Sequence, residues 1–431
     1  MRVYLLLLFV DFAVTLILTP IVRRLALSFN ILTPLRARDI HAYPIPRLGG
    51  LAMTGGILVT LIVGYSIPYL RPIYESSPAL WSVGIGAVAI TLLGVIDDIW
   101  DLDWFTKLTG QMLIAGGMAI GGVQLINIPI FGVTVGSARL STLVSTLVLV
   151  AIINAVNFVD GLDGLAAGVI AIGSLSFFAY SYMLTRLMGA TSYATAAAVV
   201  TVALAGVCVG FLWFNFHPAS IFMGDSGAMV LGLMLGSATL IVTGQVNPGL
   251  LQEQSVVTSW VPLILPLAVL VIPLVNLVVT PLSRILHGKS PMTADRTHLH
   301  DRLLLHGHSH RGVVLIMYAW TMLACVVAVA FIVIPPLTVV FWAIPPTILV
   351  ILATAFQFPT GSSSTRWRRR TVGAGVPGGP IAVDDGQEVI SRPQLEKQWM
   401  SFRGALPDEE EAKVSSLDDR SLPEDLPPKE G

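Results

Sequence analysis

Eleven stretches of this chain stay apolar for about twenty residues at a time, the length an α-helix needs to cross a bilayer. They begin near positions 3, 48, 79, 108, 140, 164, 192, 228, 259, 313 and 337. In hydrocarbon a backbone must satisfy its own hydrogen bonds, so runs of this kind dictate a bundle of spanning helices. Composition agrees: of the 431 residues 54% are hydrophobic and only 12% charged, against roughly a quarter charged in a soluble domain. The first run, in MRVYLLLLFVDFAVTLILTPIVRR, is too long for the apolar centre of a secretory signal and leads directly into an arginine pair. It is expected to be an uncleaved span.

The fold expected is an all-α integral membrane protein, a polytopic bundle of about eleven transmembrane helices over residues 1–358. Residues 359–431 hold 13 of the 26 acidic residues among Pro, Gly and Ser, and are expected to form a disordered cytoplasmic tail. Its RWRRR segment, 366–370, is placed against anionic lipid headgroups. The loops at one end of the bundle carry fifteen Arg and Lys, and those at the other carry four. The excess marks the inner side, which puts the N-terminus outside and the C-terminus in the cytoplasm of a plasma (inner) membrane protein. Cys208 and Cys325 sit inside apolar runs and offer neither a disulfide framework nor a zinc site. No nucleic-acid partner is expected, and a homodimer is left open.

With apolar residues accounted for, the polar ones stand out. Five segments fall at the inner end: DIHAYPIPRLGG (39–50), DDIWDLDWFTKLTGQ (97–111), NAVNFVDGLDGL (154–165), FNFHPASIFMGDSG (214–227) and RTHLHDRLLLHGHSHR (296–311). Ten of the 13 acidic residues before position 359 lie at that end. Glu75 and Glu253 lie at the other, and Asp11 is inside the first run.

Asp97 and Asp98 close the third run, where the helix dipole disfavours a carboxylate by roughly 0.3–1 kcal/mol. Asp101 and Asp103 add like charge, so the group points to a cation- or proton-related role, with Lys107 as counter-charge or phosphate contact. Asn154, Asn157, Asp160 and Asp163 recur every third residue and sweep half a helical turn rather than a stripe. The fifth helix is expected to fray there, with Gly161 and Gly164 turning the chain so that oxygens converge from helix and loop. The plain alternative is an Asp-Gly turn with Asp163 as a helix cap. Asp225 in FMGDSG is either an N-cap or part of an anion-binding helix start. Oxygen donors of this type suit Mg²⁺, with Mn²⁺ as a substitute. Arg296, His298, His300 and Arg302 read as a phosphate-binding cluster; His306, His308 and His310 read as solvated loop residues. Arg47 in PRLGG is a topology-setting arginine or a substrate contact.

Together PRLGG, DDIWDLDWFTKLTGQ, NAVNFVDGLDGL, FMGDSG and HLHDRL resemble the polyprenyl-phosphate N-acetylhexosamine-1-phosphate transferases, in order over most of residues 39–311. PRLGG and HLHDRL resemble the WecA/TagO branch, which uses UDP-N-acetylglucosamine, more than the MraY branch, which uses UDP-MurNAc-pentapeptide. Asp301 stands where many relatives carry a further histidine. The resemblance implies catalytic loops at the cytoplasmic face and transfer of N-acetylglucosamine-1-phosphate from UDP-GlcNAc to a polyprenyl phosphate (undecaprenyl or decaprenyl), with release of UMP. It implies Asp225 and Asn157 as Mg²⁺ or diphosphate contacts, and Asp97 and Asp98 for activation of the lipid phosphate or metal binding. Asn154, Asp160 and Asp163 would shape the nucleotide site, while Lys107, His298, His300 and Arg302 would contact phosphates.

Electrostatics favours the same location. One substrate is confined to the bilayer and the other is a soluble anion, so they meet at the inner interface. Two unit negative charges at 4 Å repel by about 4 kcal/mol at an effective dielectric of 20, which calls for a divalent ion and fixed basic groups. Two other classes compete. An ion-coupled transporter needs an acid at mid-membrane depth, which Asp11 alone provides. A zinc-dependent membrane hydrolase would need more than spaced histidines.

Overall fold

The computed structural model describes residues 1–29, 31, 45–125, 137–188, 193–245, 268, 303–304 and 307–356. The chain divides into two compact units, Met1–Thr360 and Gly361–Gly431, and the second lies outside the described residues. So do the tail, the run expected near 259, and Arg296, His298, His300 and Arg302.

Two helices are enclosed by the others: α8 (Tyr193–Asn215) and α9 (Gly224–Gln245). Alanine, glycine and valine fill α8, and small residues let neighbouring backbones approach closely where no hydrophobic drive separates helix from lipid. Around this pair stand α1 (Arg2–Ser28), α2 (Gly49–Ser66), α4 (Ala79–Trp100), α6 (Ala138–Asn157) and α7 (Leu165–Met188). A one-and-a-half-turn α3 (Arg71–Ser76) joins α2 to α4. At 17 residues, α5 (Trp104–Ile120) is at the short end of what spans a bilayer. Outermost are α10 (His310–Val333) and α11 (Pro336–Ala355), where Leu337, Phe341 and Trp342 are exposed as lipid-facing residues are.

The elements described are all helical, and nine of them are long and apolar enough to cross a membrane. With α5 they account for ten of the eleven runs read from the sequence. Antiparallel succession puts the last turns of α1, α4, α6 and α8 at one end of the bundle, together with the first turns of α2, α5, α7, α9 and α10. Every described polar motif lies at that end.

Hydroxyl groups that would be stranded in lipid are turned inward. Thr54 of α2 and Thr91 of α4 pair at 2.6 Å, buried between their helices. On α1 the buried stripe is Tyr4, Leu7, Asp11, Thr15, Thr19, Val22 and Ala26, at the three-to-four spacing of one helix face. The helix ahead of the glycines gives way within the quoted stretch, leaving Asn157 on the helix and Asp160 and Asp163 in the turn. The α6 hydrogen-bonding pattern continues through Asn157, and the turn occupies the residues between it and α7. Asparagines at i and i+3 can remain helical because both side chains find partners within the bundle.

Candidate active site

The site begins with main chain. Pro46 accepts the N–H of Phe222 at 2.9 Å, and the N–H groups of Gly49 and Gly50 donate to Phe222 and Met223 at 3.0 Å each. PRLGG is thereby fastened to FMGDSG. A Cβ on Gly50 would strike the Ser226–Gly227 backbone, and one on Gly94 of α4 would strike Ser226. The starts of α2 and α9 and the last turns of α4 thus meet backbone to backbone. Gly224 has φ +71°, where a side chain is strained, and a Cβ there would run into the Asp98 carboxylate.

That carboxylate is the N-terminal cap of α9. Asp98 Oδ1 accepts the Asp225 N–H at 2.9 Å and Oδ2 the Ser226 N–H at 3.2 Å, satisfying donors that open a helix and lying at its positive end. Capping leaves the Asp225 side chain free for other contacts. Lys107 Nζ donates to Asp225 Oδ1 at 2.6 Å and lies 2.8 Å from Asp97 Oδ2, bridging two carboxylates. Asn157 Nδ2 donates to the same Asp225 oxygen at 2.5 Å. Asp97 Oδ1 accepts the N–H of Leu102, which bends the chain after α4, and Asp103 caps α5 through the N–H groups of Phe105 and Thr106. Lys107 is therefore held one turn into a firmly capped helix.

Asp160, in the turn after α6, faces the same centre. Burial pushes its carboxyl up to about 7, the charges of Asp225 and Asp98 add to this, and Arg47 opposes it. Asp97, Asp98, Asp160 and Asp225 thus share one centre with two cationic side chains, Lys107 and Arg47. Fully ionised, the set lacks two positive charges, and its donors are hard oxygens. These residues fit a divalent ion such as Mg²⁺.

The structure places the other expected residues differently. Asn154 Nδ2 donates to Gln111 Oε1 at 2.7 Å and to the Val150 carbonyl at 2.8 Å, while Gln111 Nε2 reaches the Met229 sulfur at 3.2 Å. Asn154 is thus an interhelical tie one turn below Asn157. Asp163 is buried and turned toward a second group. Its Oδ2 pairs with His217 Nδ1 at 2.8 Å and accepts the Ala219 N–H at 3.1 Å. It does not cap α7. His217 stacks on His310 with ring centroids 4.2 Å apart and 20° between planes, and Arg311 donates to the His217 carbonyl. Donor atoms of Asp163, His217 and His310 lie within 4.8 Å of one another. The His217 pairing and the His217–His310 stack hold the three against one another, and they are read as positioning groups.

His310 and His308 are not solvated loop residues, which corrects the expectation. His310 is half-buried at the start of α10, and His308 Nε2 lies 3.1 Å from the Thr354 carbonyl of α11. Gln111 and His217 were not singled out from the sequence. His217 stood inside a quoted motif, but its partners come from two distant elements, and no spacing announces them.

Comparison with known proteins gives a consistent result. A family model described as glycosyl transferase family 4 matches residues 80–243. The chain is 41% identical over 303 residues to a decaprenyl-phosphate N-acetylglucosaminephosphotransferase of Mycolicibacterium smegmatis, covering 69% of this chain and 75% of that protein. It is 31% identical over 312 residues to the probable undecaprenyl-phosphate N-acetylglucosaminyl 1-phosphate transferase of Bacillus subtilis, covering 72% and 79%. It is also 31% identical over 265 residues to a phospho-N-acetylmuramoyl-pentapeptide-transferase of Desulforudis audaxviator, covering 55% and 75%.

Proposed function

The chain belongs to glycosyl transferase family 4, the polyprenyl-phosphate N-acetylhexosamine-1-phosphate transferases, and from that membership we propose how its site performs the transfer. It moves N-acetylglucosamine-1-phosphate onto a polyprenyl phosphate, as the names of its relatives indicate for them. The donor is UDP-GlcNAc. A lipid phosphate oxygen attacks the β-phosphorus, the bond from that phosphorus to the bridging oxygen breaks, and UMP leaves with the bridging oxygen. The products are UMP and polyprenyl-diphospho-N-acetylglucosamine.

The observation that carries this reading is the Lys107 ammonium held between Asp97 and Asp225, beside Asn157. A phosphate monoester has a second pKa of roughly 6, so the nucleophile is largely ionised at neutral pH and needs orientation more than a strong base. Asp97 and Lys107 supply that orientation, and Lys107 with Arg47 offsets the charge brought by two phosphorylated substrates. Asp98 acts by fixing the backbone that carries Asp225. Asp160 and Asp163, on one turn, border the nucleotide. Mg²⁺ is the proposed cofactor: Asp225, with Asn157 through its amide oxygen, would hold it, and it would supply counter-charge to the diphosphate. Following the distribution of Arg and Lys, the site faces the cytoplasm and the N-terminus lies outside the plasma membrane.

Purified full-length protein mixed with UDP-GlcNAc, polyprenyl phosphate and Mg²⁺ is expected to release UMP, and EDTA is expected to stop it. Folded protein that released none, or that turned over UDP-MurNAc-pentapeptide as readily, would overturn the substrate assignment.

A further inference from the structure

The turn that carries Asp160 and Asp163 ends on Gly164, and both main-chain groups of that glycine are held by distant helices. Its N–H donates to Asn215 Oδ1 of α8 at 3.1 Å. Its carbonyl accepts the Gly168 N–H at 3.0 Å, the first helical bond of α7, and takes a second donor, the Tyr318 hydroxyl of α10. A carbonyl oxygen has two lone pairs, so the second bond displaces nothing. Gly164 itself sits at φ +76°, where an L side chain is strained.

Gly168 gives Tyr318 its place. A Cβ there would overlap the Tyr318 ring and hydroxyl. The first turn of α7 thus stays bare, and a side chain from α10 reaches past it to the turn. Arg311 lies seven residues before Tyr318, on the same face of α10, and donates to the His217 carbonyl at 3.1 Å. His217 in turn pairs with Asp163. One face of α10 therefore holds the acid-bearing turn twice, at Gly164 directly and at Asp163 by way of His217.

The helix does not need the Tyr318 bond to keep its place. His308, just ahead of α10, has Nε2 3.1 Å from the Thr354 carbonyl of α11, and Trp320 Nε1 donates to the Thr354 hydroxyl at 3.1 Å. Trp320 is two residues beyond Tyr318 and stands on the opposite side of the helix. Val313, Val314 and Met317 are buried besides. With α10 secured in these ways, the Tyr318 hydroxyl acts on the turn.

We propose that Tyr318 is a positioning residue for the nucleotide half of the donor. Its hydroxyl fixes the Gly164 carbonyl, and with it the turn on which Asp160 and Asp163 are carried. The inference rests on the reading of that turn as the border of the nucleotide.

The test is Tyr318→Phe in the full-length protein, which removes one oxygen and keeps the ring, followed by UMP release and by calorimetric binding of UMP with Mg²⁺ present. The KM for UDP-GlcNAc and the Kd for UMP should rise together by about fivefold, the equivalent of one neutral hydrogen bond. The kcat and the KM for polyprenyl phosphate should not change. Gly168→Ala breaks the same bond from the other side, by crowding the ring away from Gly164. It should raise the same two constants, and the double substitution should raise them no further than the larger single effect. If Tyr318→Phe does not fold, Gly168→Ala decides. An unchanged UMP affinity, or a fall in kcat with both KM values rising alike, would refute the positioning role. Variants indistinguishable from an active wild type would remove this inference alone. A wild type that binds UMP but releases none from UDP-GlcNAc would remove the transferase reading and leave the UMP comparison to decide; one that binds no UMP would remove both.

Discussion

Asp98 and Asp225 are joined through the main chain rather than through their charges. The α4 carboxylate takes the N–H of Asp225 at 2.9 Å and that of its successor at 3.2 Å, while the Asp225 carboxylate turns to Lys107 at 2.6 Å. One acid thereby aims another. The division of labour separates two neighbouring residues, Asp97 and Asp98, that look alike in the sequence.

Replacing Asp98 with alanine should therefore cost stability as well as turnover. Loss of a helix cap amounts to about 1–2 kcal/mol, visible as a lower thermal midpoint in detergent. Asp98→Asn, which keeps an acceptor, should recover part of the loss, whereas Asp97→Asn should depress UMP release with little change in midpoint. Equal midpoints for wild type and Asp98→Ala would remove the capping role.

Lys107 holds two half-buried or buried acids in place, so Lys107→Met leaves both uncompensated. We expect a loss of about 2 kcal/mol, less than for a fully buried pair because solvent reaches part of the cluster. Added Mg²⁺ should restore part of the midpoint if the same oxygens accept a divalent ion. A deficit that Mg²⁺ does not touch would argue against metal binding there.

Asp160 gives the pH dependence. Its carboxyl is raised from 3.8 to about 7 in the folded protein, so the folded state binds the proton more tightly than the unfolded chain. Its ionisation removes stability progressively as pH rises from about 4 to 7, and the full penalty is present above that. In EDTA, Asp160→Asn should match wild type near pH 4 and be the more stable protein at pH 8. A gap of one size at both pH values would show that the substitution acts through packing.

His217 holds Asp163, whose turn also carries Asp160. His217→Ala should raise the KM for UDP-GlcNAc by about tenfold, the equivalent of one charge-assisted hydrogen bond, and leave that for polyprenyl phosphate unchanged. A parallel rise in both would place the triad in general folding rather than at the nucleotide.

Much of this arrangement was legible before any coordinates. Membrane helices announce themselves because about twenty consecutive apolar residues have few other uses. Lys107 could be named as the counter-charge to Asp97 because it follows closely on a capped helix. What could not be read were partnerships across the bundle. Nothing near Asn154 says that its amide goes to Gln111, and nothing near Asp98 says that it caps a helix far along the chain. Asp163 and His217 belong to separate motifs and His310 to a third, so their meeting is a property of helix packing. The residue at which α6 ends, Asn157, bonds to Asp225 of a distant helix, a partnership that no local preference encodes.

The floor beneath these acids, where Gly50, Gly94 and Gly224 admit no side chain, also bears on how the enzyme could be inhibited and how it could escape. A compound that fills the space above Lys107 meets a rigid constellation, with no slack to be mutated into the base. Any larger residue there would dismantle the pocket before it excluded the drug. Resistance would have to come from residues away from that floor, so the durable pharmacophore is the part of a ligand that touches the floor alone.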